Sequence, residues 1–176
     1  MVPPGGVKGG GIRGGRPRLR GDSTLTPRAI QPLPQVKTPS SVAKAKKRIL
    51  FVCIGNACRS QMAEAFARAY GSDILTVHSA GLAPAGSLPP LTRQTLSEKN
   101  ISIDGQFPKG LESFGGEPFE VVVNMSGEPL PAAFGMARLI EWGVRDPIGE
   151  SESVYRAVAA QIEGLVMRLI VELREK

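Results

Sequence analysis

Hydrophobic positions in residues 48–176 fall into two alternating patterns. A continuous apolar run with β-branched and aromatic members predicts a buried parallel strand at Arg48–Cys53, and further strands are expected at Leu75–Ser79, Phe119–Met125 and Ala137–Trp142. Helical spacing separates them. Met62, Ala65, Phe66, Ala69 and Tyr70 share one face of a helix over Ser60–Tyr70, with Ser60 as its cap and Gly71 closing it. A second helix is expected over Leu91–Lys99, behind Pro89-Pro90. A long amphipathic helix is expected over Glu152–Glu175, with Val154, Val158, Ile162, Leu165, Leu169 and Leu173 as its buried stripe. Residues 101–118 are loop-rich, with a short helix around Leu111–Phe114. Strands alternating with helices predict an α/β fold, a three-layer sandwich around a four-stranded parallel sheet with right-handed crossovers. Such sheets bind ligands beyond the carboxyl ends of their strands.

Residues 1–47 show neither period and are rich in Gly, Pro and Arg, as expected of a disordered basic tail ahead of one domain at 48–176. The chain has 176 residues and a formal charge of +6, but the tail alone carries ten Lys or Arg against Asp22. The remainder is net acidic, so any nucleic-acid contact would be confined to the tail, whose Gly9–Arg18 segment lacks aromatics for base stacking. No run is apolar enough for a signal peptide or a membrane span. The two cysteines lie close together and leave none for a disulfide framework, which points to a reducing, cytoplasmic setting. A single histidine, His78, excludes zinc sites with several histidines and reads as an ordinary strand residue.

The chemistry is concentrated where the first strand ends, in Cys53-Ile54-Gly55-Asn56-Ala57-Cys58-Arg59-Ser60. A thiol is a good nucleophile as its thiolate, which helix N-terminal amides and a guanidinium both favour. Arg59 offers a planar fork of donors matching two oxygens of a tetrahedral oxyanion. Gly55 relieves a tight loop whose N–H groups can point inward as an anion nest. Asp146, of Asp146-Pro147, follows the fourth strand and can meet this loop at the same edge of the sheet; it also reads as a turn opener. Asn56 reads as a turn residue tolerating a left-handed backbone.

The stretch Ile49–Ser60, continued by Gln61-Met62-Ala63-Glu64-Ala65 and joined by Asp146-Pro147, resembles the low-molecular-weight protein tyrosine phosphatase superfamily, which includes thioredoxin-coupled arsenate reductases. The resemblance implies a loop of Ile54, Gly55, Asn56, Ala57, Cys58 and Ser60 that binds phosphate. It makes Cys53 the nucleophile, Arg59 the anion clamp, Ser60 a donor to the sulfur and Asp146 the general acid. Asn56 would brace the loop with support from Ser79. Cys58 would be a second loop cysteine able to trap an oxidised Cys53, or a small side chain filling space. No metal or cofactor is needed, because Arg59 and the amides supply the positive field.

Gln61 and Ile148-Gly149-Glu150 lean toward the reductases: phosphatases of the superfamily usually carry proline at the first and aromatics at the second. The segment Asn124–Pro131 leans the other way, because it lacks the two further cysteines of a thioredoxin-coupled relay. The expectation is therefore a phosphatase acting on a phosphorylated protein or small phosphate monoester through a phosphocysteine intermediate. The alternative is an arsenate reductase using an external thiol, with thioredoxin or glutaredoxin as partner; a second is a non-catalytic phosphate-binding protein.

Overall fold

The computed structural model describes residues 45–176 and the glycines at 10, 11, 14 and 15; the rest of the expected tail lies outside the described residues. Four strands, β1 (Lys47–Cys53), β2 (Leu75–Gly81), β3 (Val121–Asn124) and β4 (Arg138–Glu141), form one parallel sheet in the order β2-β1-β3-β4. The helices are α1 (Arg59–Gly71), α2 (Pro90–Glu98) and α3 (Glu152–Arg174). Short 3₁₀ turns occupy Leu111–Phe114 and Ala132–Phe134.

The strand β1 is central, pairing with β2 on one side and β3 on the other, which explains its unbroken apolar run. Its alternate residues supply two cores. Ile49 and Phe51 join Met62, Phe66, Ile162 and Val166 beneath the helices. Leu50 and Val52 join Phe114, Phe119 and Val122 on the opposite face, where the two 3₁₀ turns complete the third layer. His78 packs there against the rings of Phe114 and Phe119 and serves as an ordinary strand residue.

Three details differ from the sequence expectation. The first half of α1 is buried all round, through Ala67, whereas Ala69 is exposed, because Gln106, Phe107 and Lys109 cover Gln61 and Glu64 in its early turns. The stripe of α3 is rotated: Tyr155, Ala159, Val166 and Ile170 are buried, while Val154 and Leu165 are only half-buried. Ser60 does not cap α1. The cap position is Cys58, without a side-chain bond, and the Ser60 hydroxyl is engaged with Cys53 instead.

Ile162 sits fully buried in the helical core. Removing one methyl from it, as Ile162→Val, is expected to lower stability by about 1 kcal/mol. Urea unfolding with an unchanged m-value would show it.

Candidate active site

The parallel sheet brings the carboxyl ends of its four strands to one edge. Cys53 closes β1 opposite Gly81, the last residue of β2. Beyond β3 and β4 lie Met125 and the Val144–Asp146 segment. The loop after Cys53 is laced to residues 82–85: Leu82 N–H donates to Cys53 O (3.1 Å), Ala83 N–H to Ile54 O (2.9 Å) and Ala85 N–H to Gly55 O (2.8 Å). The result is a cleft of about 290 Å³ lined by Cys53, Ile54, Gly55, Ala57, Cys58, Arg59, Ala85, Asp146 and Ile148.

The structure thus brings together Cys53, Arg59 and Asp146. The first turn of α1 carries no acidic residue, so its positive end faces the cleft uncompensated. Arg59 is buried, with Nη1 donating to Met125 O (2.6 Å) and Val144 O (3.3 Å). Its Nη2 donates to Asp146 Oδ2, and among the described residues its buried Nε meets no acceptor. Two carbonyls therefore fix one arm of the guanidinium. The Nε–Nη2 edge, the edge that fits two oxygens of a tetrahedral anion, is left for exchange with a ligand. Asp146 opens a turn, as one sequence reading has it, with Oδ1 accepting from Ile148 N–H (3.2 Å), while Oδ2 pairs with Arg59 at the cleft.

Cys53 Sγ lies 3.0 Å from Ser60 Oγ. Asn56, at φ +47°, takes the left-handed backbone that Asn tolerates well, and its Nδ2 lies 2.8 Å from both Ser60 Oγ and Ser79 Oγ. Ser79 in turn donates to Glu64 (2.5 Å), a buried carboxylate that also pairs with Arg68 and lies 3.8 Å from Lys109 Nζ. Cys58 turns away from this network. Its Sγ lies 3.1 Å from Thr92 Oγ1 and 3.5 Å from the Tyr155 hydroxyl. Burial pushes the Cys58 thiol up, and burial followed by the Cys58 contact pushes the Tyr155 hydroxyl up.

Glu64, Gln61, Gln106, Thr92 and Tyr155 were not singled out as site residues from the sequence. Only Gln61 carried a signal, its place directly after Arg59-Ser60; the others reach the loop through contacts spanning up to 97 residues.

A family model described as low molecular weight phosphotyrosine protein phosphatase matches residues 48–176. The chain belongs to this family. The family member is similar to a glutaredoxin arsenate reductase of Synechocystis sp., 35% identical over 130 residues that cover 72% of this chain and 98% of the relative. It is also similar to arsenate reductase 1 of Bacillus cereus, 33% identical over 66% of this chain and 89% of that protein. Among solved structures, an arsenate reductase in the phosphate binding state superposes with a TM-score of 0.68 at 34% identity, covering 72% of this chain and 98% of its own. The protein is an enzyme of the phosphatase superfamily with the expected α/β fold. The expectation of a phosphatase as its main activity is overturned, because these relatives are arsenate reductases. Among the described residues, no helix is long and apolar enough to cross a membrane.

Proposed function

We propose that the domain at 48–176 reduces arsenate to arsenite, with electrons from an external thiol. The observation that carries this is the cleft itself. A thiol at the positive end of α1 shares it with an arginine whose Nε meets no acceptor among the described residues and whose Nη2 can be exchanged from Asp146 to an anion, and beyond the nucleophile loop Ala85 and Ile148 line it. A small inorganic oxyanion fits such walls, which offer no aromatic surface to an aryl ester.

Cys53 thiolate attacks arsenic, forming an S–As(V) bond. The departing hydroxide takes a proton from Asp146 and leaves as water. The loop amides and the Arg59 Nε–Nη2 edge hold the remaining oxygens. An external thiolate then attacks Cys53 Sγ. The S–As bond breaks with its electron pair passing to arsenic, which departs as As(III) arsenite, and a mixed disulfide remains on Cys53. A second external thiol frees Cys53 and completes the two-electron transfer. Glutathione with glutaredoxin is the favoured donor, in keeping with the glutaredoxin arsenate reductase among the relatives.

Cys58 is poorly suited to supply the second thiol. The Thr92 hydroxyl donates its hydrogen to Ala57 O (3.0 Å), which leaves it none to give the Cys58 sulfur 3.1 Å away, and the Cys58 S–H itself donates to the Tyr155 hydroxyl (3.5 Å). Burial favours the neutral thiol, which is the unreactive form, and outweighs the opposite pull of the Thr92 and Tyr155 contacts. The test is arsenite formation with glutathione and glutaredoxin, or with thioredoxin; no arsenite from either system rejects the reading. Cys58→Ser is expected to retain turnover within about tenfold in the glutathione arm, where loss of a full nucleophile costs far more. A collapse to background would make Cys58 the resolving thiol.

A further inference from the structure

Gln61 is fully buried, yet it plays no direct part in the chemistry just described. Its Nε2 lies 3.0 Å from Asn56 O, 3.0 Å from Asn56 Oδ1 and 2.9 Å from Phe107 O. Two of these are backbone carbonyls, which only accept, so the amide orientation is fixed with nitrogen toward Asn56. Gln106 locks it from behind, donating from Nε2 to Gln61 O (3.1 Å) and Oε1 (2.7 Å).

The next step is equally determined. Lys109 N–H, a donor only, lies 2.9 Å from Asn56 Oδ1. Oδ1 thus accepts from both Gln61 and Lys109, and Asn56 must turn Nδ2 toward Ser60 and Ser79. Ser79 passes its hydrogen to Glu64, which is consistent with its accepting from Asn56. Ser60 Oγ, occupied by the Asn56 donor, has its own hydrogen to give, and Cys53 Sγ stands 3.0 Å away. Backbone groups of Phe107 and Lys109 therefore set the direction of every bond from the 106–109 segment to the nucleophile.

We infer that Gln61, braced by Gln106, is a positioning residue: it holds Asn56 in the orientation that makes Ser60 a donor to the Cys53 thiolate. The inference rests on Cys53 as the nucleophile and is independent of arsenate as its substrate. Without Gln61 Nε2, Asn56 Oδ1 keeps only the Lys109 donor and the tie to Phe107 is lost. Asn56 can then rotate, and the Ser60 hydroxyl can turn from sulfur to the amide oxygen.

The experiment is the pH profile of iodoacetamide alkylation, read at Cys53 by fragment mass spectrometry, on the full chain without arsenate. Loss of a donor to a charged sulfur moves the midpoint upward. Ser60→Ala is expected to raise it by about one pH unit, and Gln61→Met by about half a unit. On the Ser60→Ala background, Gln61→Met is expected to add nothing, because its route to sulfur is gone. An unmoved midpoint in Gln61→Met overturns the proposal. A shift that persists in full on the Ser60→Ala background also overturns it, since Gln61 would then act on the fold and not through Ser60. Should Gln61→Met fail to fold by circular dichroism, Gln106→Met carries the same comparison with a smaller upward shift, and an unmoved midpoint there is equally fatal. Because the readout needs no arsenate, a protein that shows the relay but reduces no arsenate would reject the reductase reading alone.

Discussion

Cys53→Ser is expected to lower arsenate turnover by at least about 10³-fold while leaving the fold intact, the largest effect of any single change in this protein. The reason is chemical before it is structural. A serine hydroxyl at the end of β1 would keep the 3.0 Å contact with Ser60 and the position opposite Gly81. Under the proposed mechanism it would lack the sulfur that breaks from arsenic, and an oxygen cannot form the disulfide that closes the cycle. The side chain is buried and nearly isosteric, so unfolding midpoints should move by little more than about 1 kcal/mol. Following NADPH oxidation in a glutathione reductase-coupled assay, beside circular dichroism, separates the two effects. Residual turnover above about a tenth of the native rate, in a folded variant, would show that arsenic is reduced elsewhere and would reject Cys53 as the attacking group.

That loop was readable from the sequence because its information is local. Cys53 and Arg59 lie within seven positions, an apolar strand precedes them and helical spacing follows, so backbone geometry alone brings them to one cleft. The sheet was legible for the same reason: the runs at β1 and β3 are too apolar to be anything but buried. Asp146 needed one further step, the rule that strand ends gather at one edge. The supporting network was not legible. Whether Gln61 is a solvated helix residue or a buried clasp depends on Gln106, Phe107 and Lys109, and no local pattern announces that meeting. Thr92 and Tyr155 around Cys58 are of the same kind. The kind of reaction depends on information of a different sort. The absence of cysteines in Asn124–Pro131 excludes an internal relay of that type and tilts the reading toward a phosphatase, while leaving reduction by an external thiol open. Electrons that arrive from a separate thiol leave no trace in this chain's cysteine count, whereas Gln61 and the non-aromatic Ile148-Gly149-Glu150 segment were pointing to the reductases.

Gly81→Ala is expected to reduce turnover by about 10²-fold, although Gly81 lies outside the nucleophile loop. A Cβ at this position would stand 2.7 Å from Ile54 O and 2.8 Å from Asn56 N, both backbone atoms with no rotamer through which to yield. Nor can β2 retreat easily. Gly81 is paired with Cys53 in the sheet, its N–H donates to Lys109 O (2.9 Å), and it bridges Gly110 on the far side. The strand end is thus squeezed between the loop that holds the anion and the segment that orients Asn56. One added methyl must push them apart, and both movements act on the site: Ile54 belongs to the loop that lines the cleft, and Lys109 N–H fixes the Asn56 side chain. Overpacking of this kind costs about 1–3 kcal/mol of stability, so the variant should remain folded, with an activity loss exceeding the loss of stability. Inorganic phosphate serves as a second probe, since it needs only the loop's donors: its inhibition of turnover should weaken in parallel. Turnover within about threefold of the native enzyme would mean that the loop tolerates displacement, and that its donors are not held to the tolerance that anion binding requires.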